Sequence, residues 1–348
     1  MQHTSKEKKK GTPSFSLDRK PLSPAFGMEK FDLHILGCGS ALPTLRHCPT
    51  SQVLNIHDKL YMIDCGEGTQ QQFRRTRLSF ARLNHIFISH LHGDHCFGLM
   101  GLISTFSLLG RTATLHIYAP EGLKETIIPL LEFYCKGMEY SIEFHPFATN
   151  TSSMIFEDKT LTVQAVPMRH RTGCCGFVFR EKQGLPHIRR DMIDFLGIPL
   201  CEINRIKRGG DWVKENGEVI PHERLVTAAR PPRSYAYFSD TAFVPENAEQ
   251  AKNVDLMFHE ATFAESEAAR AVETFHSTAS QAARMAQLAC AKRLVIGHFS
   301  SRYDNEDGLL KESRDIFPNT VLAREGLQLR IGEEGDNEKM RINTKRHT

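Results

Sequence analysis

The sequence predicts an α/β protein, in which short strands alternate with helices. Two features support this prediction. Short runs rich in β-branched and aromatic residues alternate along the chain with stretches that have the periodicity of a helix. His and Asp side chains also follow several of these runs directly, and α/β proteins commonly place their chemistry at the ends of strands.

In the first half of the chain, each predicted strand is a short apolar run bounded by turn-forming residues. These strands cover residues 31–36, 53–56, 60–63, 86–88 and 115–118. A helix is predicted over 69–77, after a glycine-rich segment, and another over the apolar stretch 97–109.

The second half repeats this pattern, with strands predicted at 161–166, 177–179, 235–238, 256–258 and 294–296 and an alanine-rich helix over 278–291. Between 180 and 233 the pattern is lost, and eleven Lys and Arg stand against eight Asp and Glu. A segment of this length without core periodicity is either functional or disordered.

The composition predicts a cytoplasmic protein without a membrane span. The chain has no run of about 18 apolar residues, which a membrane-spanning helix requires. Its first ten residues are charged, so no secretory signal is expected. Nine cysteines at irregular positions do not suggest a disulfide framework, and they suit a reducing compartment.

The net charge of +3 is concentrated at the start of the chain. Residues 1–27 contribute +4, so the remainder carries about −1 and any nucleic-acid surface must be a local patch. We expect 1–27 to be a disordered basic tail, with a nucleic-acid-binding arm as the alternative and Met28 as a possible true start. The polar segment 332–348 is expected to be a mobile tail.

The most informative segment is His90-Leu91-His92-Gly93-Asp94-His95, in which four ligand-type side chains directly follow a predicted strand. His90 and His92, at strand spacing, can share one metal and leave Asp94 and His95 for a second. Imidazole with carboxylate suits Zn²⁺, whereas Ca²⁺ and Mg²⁺ prefer oxygen ligands. A histidine-rich surface loop is the alternative.

Three more candidate ligands, His170, Asp240 and His298, each stand just beyond a predicted strand. A single histidine is more often a hydrogen-bonded structural residue, but these three share one type of position. Asp240 is the best candidate to bridge two metals, because a carboxylate can hold one ion with each oxygen. Two ions held in this way would activate water at neutral pH.

This series resembles the ligand series of the metallo-β-lactamase fold. The resemblance covers most of residues 28–330 and implies a four-layer αββα sandwich, as one domain over 28–331, with two Zn²⁺ per chain. It assigns His90, His92 and His170 to one ion, Asp94, His95 and His298 to the other, and Asp240 to both. The fold hosts lactamases, thioesterases, sulfatases and nucleases, so it does not identify the substrate.

Three further segments resemble motifs of the ribonuclease Z family: Asp64-Cys65-Gly66-Glu67-Gly68-Thr69-Gln70, His259-Glu260-Ala261-Thr262-Phe263 and His276-Ser277-Thr278. A carboxylate that orients a histidine and stabilises its protonated form makes a general acid. Phosphodiester cleavage expels an alkoxide that must be protonated, so we expect Glu260 and His276 to serve the leaving group. The alternatives are a core ion pair for Glu260 and a helix-cap neighbour for His276.

The segment 297–303 resembles the family's last motif, and its Ser300 and Arg302 are candidates to hold a substrate phosphate, with a plain surface turn as the alternative. In the loop after the first strand, the family's usual PTKERN is replaced by Pro43-Thr44-Leu45-Arg46-His47-Cys48-Pro49. Arg46 is the cation that remains there as a candidate RNA contact. The family's loop senses the trailer just after the discriminator base, so rejection of CCA-bearing RNA is not implied here.

The resemblance implies a homodimeric enzyme that removes the 3′ trailer from precursor tRNA and leaves a 3′-hydroxyl. Metal-activated water attacks phosphorus, Asp94 helps to position or deprotonate it, and His276, oriented by Glu260, protonates the departing oxygen. The insertion 181–232 stands where the family carries a flexible tRNA-binding arm, although it matches the arm's pattern only loosely.

Two other functions fit parts of the sequence. A small-molecule phosphodiesterase or sulfatase of the same fold would have no use for the insertion. A non-catalytic RNA-binding module would have no reason to keep an open two-metal site.

Overall fold

The computed structural model describes residues 29–332 and 338–340. The predicted basic tail, Met28 and most of the predicted C-terminal tail lie outside the described residues. Among the residues described, no helix combines the length and the apolar character that crossing a membrane requires.

Two large sheets dominate the described part of the chain. The strands of the first sheet are β1 (Phe31–Gly37), β2 (Ser51–Ile56), β3 (Lys59–Ile63), β4 (Leu83–Phe87), β5 (Leu115–Pro120), β6 (Ile142–Phe147), β18 (Leu327–Arg330) and β19 (Glu338–Met340). They lie in the order β19-β18-β1-β2-β3-β4-β5-β6, and the pairs from β3 to β6 are parallel. Since β19 pairs with β18, the segment that we expected to be mobile from residue 332 onward is in part an edge strand.

The strands of the second sheet are β7 (Ser153–Glu157), β8 (Leu161–Met168), β9 (Cys174–Glu181), β14 (Ser234–Phe238), β15 (Leu256–Glu260), β16 (Leu294–Gly297) and β17 (Thr320–Leu322). Their order is β17-β16-β15-β14-β9-β8-β7. The strands β14 to β17 are parallel, so their carboxyl ends meet at one edge of the sheet.

Helices cover the outer faces of both sheets. They are α1 (Thr69–Thr76), α3 (Gly98–Leu108) and α4 (Leu123–Tyr134) on the first sheet, and α9 (Ala279–Leu288) and α10 (Asp307–Ile316) on the second. Two shorter helices are α2 (Gly93–Cys96) and α8 (Ala268–Thr274). Side chains alternate along the strands with period two. In β3, Leu60 and Met62 pack with the apolar side chains of α1, α3 and α4, whereas Tyr61 and Ile63 pack between the sheets. The four-layer αββα sandwich is therefore confirmed.

The insertion between β9 and β14 folds around a small apolar cluster of its own. Its elements are β10 (His187–Ile188), α5 (Arg190–Leu196), α6 (Ile203–Lys207), β11 (Trp212–Val213), β12 (Val219–Ile220), α7 (His222–Leu225) and β13 (Val226–Thr227). Ile198, Ile206, Ile220 and Leu225 form the buried centre of this cluster. At its base, the Arg233 guanidinium donates to Glu181 at 2.7 Å, which closes the insertion where it leaves the sheet.

Candidate functional site

The candidate metal ligands converge from the carboxyl ends of strands in both sheets. The segment 90–95 follows β4, His170 follows β8, Asp240 follows β14 and His298 follows β16. The backbone turns sharply at two of these positions, with φ of 51° at Asp240 and 59° at His298. Residues other than glycine rarely adopt this left-handed conformation, and where they do it often serves a functional site.

Three histidines form the first donor group. His92 Nδ1 lies 2.9 Å from His90 Nε2 and 3.3 Å from His170 Nε2. His170 donates its Nδ1 hydrogen to the Phe275 carbonyl at 3.2 Å, so its Nε2 lone pair points into the group. A hydrogen bond of this kind commonly orients a metal-binding histidine.

The second donor group consists of Asp94, His95 and His298, with Asp240 beside it. Asp94 Oδ2 lies 3.4 Å from His95 Nε2 and 3.7 Å from His298 Nε2. Asp240 places Oδ2 2.9 Å from His95 Nε2 and Oδ1 3.4 Å from His298 Nε2. Asp240 also groups with His90 and His95, so it lies between the two sets of donors.

These residues fit a pair of metal ions. The Nε2 atoms of His95 and His298 are buried and make no hydrogen bond to any described residue, although carboxylate oxygens lie close to both. Buried polar atoms rarely lack a partner, and a metal ion would supply one. Burial opposes ionisation of Asp94, yet His95 and His298 hold the pKa of its carboxyl well below the ordinary value. An imidazole and carboxylate donor set suits Zn²⁺.

Asp64 orients His95 in this centre, and its sequence position had marked it only as part of a motif. The buried Asp64 carboxylate accepts hydrogen bonds from His95 Nδ1 at 2.8 Å, the Tyr237 hydroxyl at 2.6 Å and the Ser89 amide at 2.7 Å. Because His95 donates from Nδ1, its Nε2 lone pair faces the metal donors. In the sequence, the signal for this role of Asp64 was its position directly after the apolar run 60–63.

Glu260 and His276 form a hydrogen-bonded ion pair beside the donor groups. The fully buried Glu260 accepts from His276 Nδ1 at 2.9 Å, and from the Thr241 amide at 2.7 Å and the Ser277 amide at 3.1 Å. Burial lowers the pKa of His276, but the Glu260 carboxylate outweighs it and raises that pKa to about 9. The centroid of the His276 ring lies 5.3 Å from that of His170, so this imidazole stands next to the candidate metal donors.

Thr262 connects this pair to the metal ligands. Its hydroxyl donates to Glu260 Oε2 at 2.5 Å and lies 3.0 Å from His298 Nδ1, which can donate to it. The segment His259-Glu260-Ala261-Thr262-Phe263 thus supplies both the acidic partner of His276 and a contact to His298.

The donor groups open into a pocket of about 290 Å³ that has a basic rim. Ser300 and Arg302 line the pocket, and the Arg302 guanidinium is bound to Glu267. Arg171 and Arg270, which were not among the candidates from the sequence, line it as well. The signal for Arg171 was its position directly after His170. Arg46 is not among the lining residues, because its guanidinium is bound to Glu306 at 2.7 Å and to the Tyr303 carbonyl.

Comparisons with known proteins agree with this architecture. The family model described as Anti-Pycsar protein Apyc1 matches residues 31–184, and the one described as beta-lactamase superfamily domain matches residues 224–299. Among solved structures, human tRNase Z, short form, is 26% identical with a TM-score of 0.63, over 87% of this chain and 100% of the human chain.

Similar sequences cover nearly the whole of the described domain. A ribonuclease Z from Bacteroides fragilis is 62% identical over 300 residues, which is 86% of this chain and 99% of the relative. A ribonuclease Z from Bacteroides thetaiotaomicron is 60% identical over 309 residues, or 89% of this chain and 98% of the relative. The chain therefore belongs to the ribonuclease Z family of the metallo-β-lactamase fold.

Proposed function

We propose that this protein is a zinc-dependent endoribonuclease that removes the 3′ trailer from precursor tRNA and leaves a 3′-hydroxyl on the tRNA. The observation that carries the proposal is the Glu260–His276 pair beside the metal donors. Metals can supply the attacking water, but phosphodiester cleavage also needs a proton donor for the departing oxygen. The 62% identity to a ribonuclease Z supports the same reaction and substrate.

The donor groups support two zinc ions as the metal centre. His90, His92 and His170 would hold one ion, Asp94, His95 and His298 the other, and Asp240 would contact both. When bound, the ions supply activation of water at neutral pH and offset negative charge on the phosphate. Asp94, whose carboxylate lies 3.4 Å from His95 Nε2 and 3.7 Å from His298 Nε2, is assigned to positioning or deprotonating that water.

His276 is assigned to the leaving group. Glu260 holds its Nδ1, so Nε2 is the nitrogen free to donate a proton. The bond between phosphorus and the 3′ oxygen of the tRNA breaks, His276 gives that oxygen a proton, and the trailer keeps the phosphate on its 5′ end. Ser300 and Arg302 at the pocket rim are proposed to hold a neighbouring phosphate.

We propose that the insertion 181–232 holds the tRNA. Several of its cations are paired with its own carboxylates, such as Arg205 with Glu202 at 2.6 Å. By contrast, Lys207 and Arg208 form no ion pair with a described residue. Unpaired Lys and Arg are the side chains that give affinity for the phosphate backbone.

The test is to replace residues 183–230 by a short Gly-Ser linker, which retains the closing contact of Glu181 with Arg233. We expect binding of precursor tRNA to weaken strongly while hydrolysis of a small activated phosphodiester persists. Unchanged activity on precursor tRNA would contradict this role, and loss of both activities would point to a folding defect. If the full-length protein and the linker variant both hydrolyse only small substrates, the protein is a small-molecule phosphodiesterase.

We further propose that the protein is a cytoplasmic homodimer. All nine cysteines are within the described residues and are free thiols, which supports a reducing compartment. The contacting helices α3 and α4 expose large apolar side chains, including Leu108, Phe133 and Tyr134, and exposed apolar patches commonly mark interfaces. Light scattering should give a mass twice that of the 39.4 kDa chain, and Phe133→Ser should shift it toward the monomer.

A further inference from the structure

A second cluster of metal-ligand side chains lies outside the site described above. Cys38 follows β1, His47 lies in the loop where the chain departs from the family's PTKERN pattern, and Glu325 follows β17. Cys38 Sγ is 3.3 Å from His47 Nδ1 and 3.6 Å from Glu325 Oε1. His47 Nδ1 is 3.1 Å from the other carboxylate oxygen, Glu325 Oε2, while Oε1 also accepts from the Cys48 amide at 2.9 Å, so the three side chains form one compact donor group.

We propose that Cys38, His47 and Glu325 bind an additional zinc ion or a similar thiophilic divalent cation. This ion would tie the loop 39–48 to the segment after β17. The same loop contributes Ser40 and Ala41 to the lining of the substrate pocket, so the ion would hold one wall of that pocket in place.

The spacing of the donors fits tetrahedral coordination. Bonds of about 2.3 Å to sulfur and about 2.0–2.2 Å to nitrogen or oxygen give donor–donor edges of about 3.3–3.6 Å in a tetrahedron. The observed distances are 3.3 Å from sulfur to nitrogen, 3.6 Å from sulfur to Glu325 Oε1 and 3.1 Å from nitrogen to Glu325 Oε2, which a carboxylate that offers either oxygen to the ion can accommodate. They match the 2.9 and 3.3 Å that separate the nitrogens of the first histidine group. The fourth position would be taken by water or a further side chain.

The surroundings of His47 provide a second, independent argument. Its other ring nitrogen, Nε2, lies 3.2 Å from Glu306 Oε1, and the Glu306 side chain is only 9% exposed. Arg46 donates to the same carboxylate at 2.7 Å and fixes its position. A carboxylate that accepts from the far nitrogen of a ligating histidine is the usual partner of such a ligand. With Nε2 as the donor, the Nδ1 lone pair is left facing Cys38 and Glu325.

The cluster is also shielded from solvent. Cys38 is fully buried and the His47 side chain is 10% exposed. The competing arrangement has no metal: a neutral Cys38 thiol, and an imidazolium at His47 between the carboxylates of Glu306 and Glu325.

Cobalt substitution separates these two arrangements. The ligands proposed for the catalytic centre are histidines and aspartates, so a thiolate-to-cobalt charge-transfer band in the near ultraviolet must come from a site that contains a cysteine. The full-length protein is freed of metal and titrated with Co²⁺ while metal content is measured. We expect three equivalents per chain and a charge-transfer band, and Cys38→Ser should lose the band and one equivalent while two remain.

The matched control is Cys96→Ser, which changes the cysteine in α2 next to the catalytic ligands and should keep both the band and all three equivalents. If Cys38→Ser fails to fold, His47→Gln provides the same comparison, and the wild-type titration decides without any variant. Two equivalents and no band at saturation would overturn the proposal in favour of the imidazolium arrangement. A band that survives Cys38→Ser, or that is lost in Cys96→Ser, would also overturn it.

Discussion

Replacing His276 by alanine removes the proposed proton donor and leaves the rest of the centre in place. Glu260 then loses one hydrogen bond but keeps those from the Thr241 amide, the Ser277 amide and the Thr262 hydroxyl. His276 is not among the proposed metal ligands. We therefore expect His276→Ala to slow cleavage without losing metal or affinity for RNA.

The expected loss is large because His276 is held in place for its task. The ring is fixed by Glu260 at 2.9 Å and its side chain is only 16% exposed, so water cannot readily replace it as the donor. A positioned general acid contributes about 10²–10⁴-fold, which corresponds to about 3–5.5 kcal/mol at about 1.36 kcal/mol for each factor of ten. A p-nitrophenolate leaving group departs as a stable anion, so its release should be affected far less.

The variant Glu260→Gln tests the same pair through pH. Burial lowers the pKa of His276 and Glu260 raises it to about 9, so removing the charge of Glu260 lowers that pKa. Below the lowered pKa both proteins carry protonated His276 and should cleave at similar rates. Between the lowered pKa and about 9, only the wild type keeps its proton, so the defect of Glu260→Gln should grow as pH rises through this range.

The assay is single-turnover cleavage of a trailer-bearing precursor tRNA beside hydrolysis of a p-nitrophenyl phosphodiester, with metal content measured on each protein. If His276→Ala slows both substrates equally, or if the variant loses a metal ion, then His276 is a ligand or a structural residue. The assignment of a proton-donating pair would be wrong in that case.

Three further predictions concern the metals and the RNA. Asp240→Ala should lose most bound metal and nearly all activity, because the two oxygens of the Asp240 carboxylate face both donor groups. A wild-type protein that is fully active with one tightly held ion per chain would refute the two-metal centre. Asp64→Asn should weaken metal affinity by about 10–100-fold in a chelator competition, because it removes the carboxylate that orients His95. Unchanged affinity would argue against an orienting role for Asp64. The double variant Lys207→Ala, Arg208→Ala should reduce the slope of log affinity for tRNA against log salt concentration by about 2. Arg205→Ala, which removes a cation already paired with Glu202, should change this slope little. Equal slopes in the wild type and both variants would exclude the two phosphate contacts.

The parts of the fold with a clear periodic signal were predictable from the sequence. The alternation of Leu60, Tyr61, Met62 and Ile63 between the two faces of β3 is a signal of this kind. The helix α4 was not predicted, and it contains Pro129, a residue that normally argues against a helix interior. Its apolar face is nevertheless buried against the first sheet, and this packing outweighs the local preference.

The insertion illustrates a different limit. Its core residues Ile198, Ile206, Ile220 and Leu225 come from separate short elements, so they share no period along the chain. Their contact depends on how these elements fold back on each other, and a window of sequence cannot reveal it. The folded structure of this segment could therefore not be predicted from the spacing of its apolar residues.

For the candidate site, the sequence showed which residue types follow the strands, but it did not show which side chains they contact when the partner is distant along the chain. The structure brings the ligand candidates into two adjoining groups, as their shared type of position led us to expect. Arg46 pairs with Glu306, which stands 260 residues further along the chain, so this partner could not be recognised in the loop sequence. The hydrogen bonds of Asp64 to His95 and Tyr237 likewise join separate strands, so its orienting role could be recognised only in the fold.

The most direct test of the central claim is to map the products when the purified, zinc-loaded protein is incubated with a precursor tRNA that carries a 3′ trailer. The account predicts one cut at the end of the mature tRNA body, with a 3′-hydroxyl on the tRNA and a 5′-phosphate on the released trailer. Asp240→Ala should give no product. A tRNA that ends in a 3′-phosphate or a cyclic phosphate, or no cleavage at the trailer by the metal-loaded protein, would contradict it.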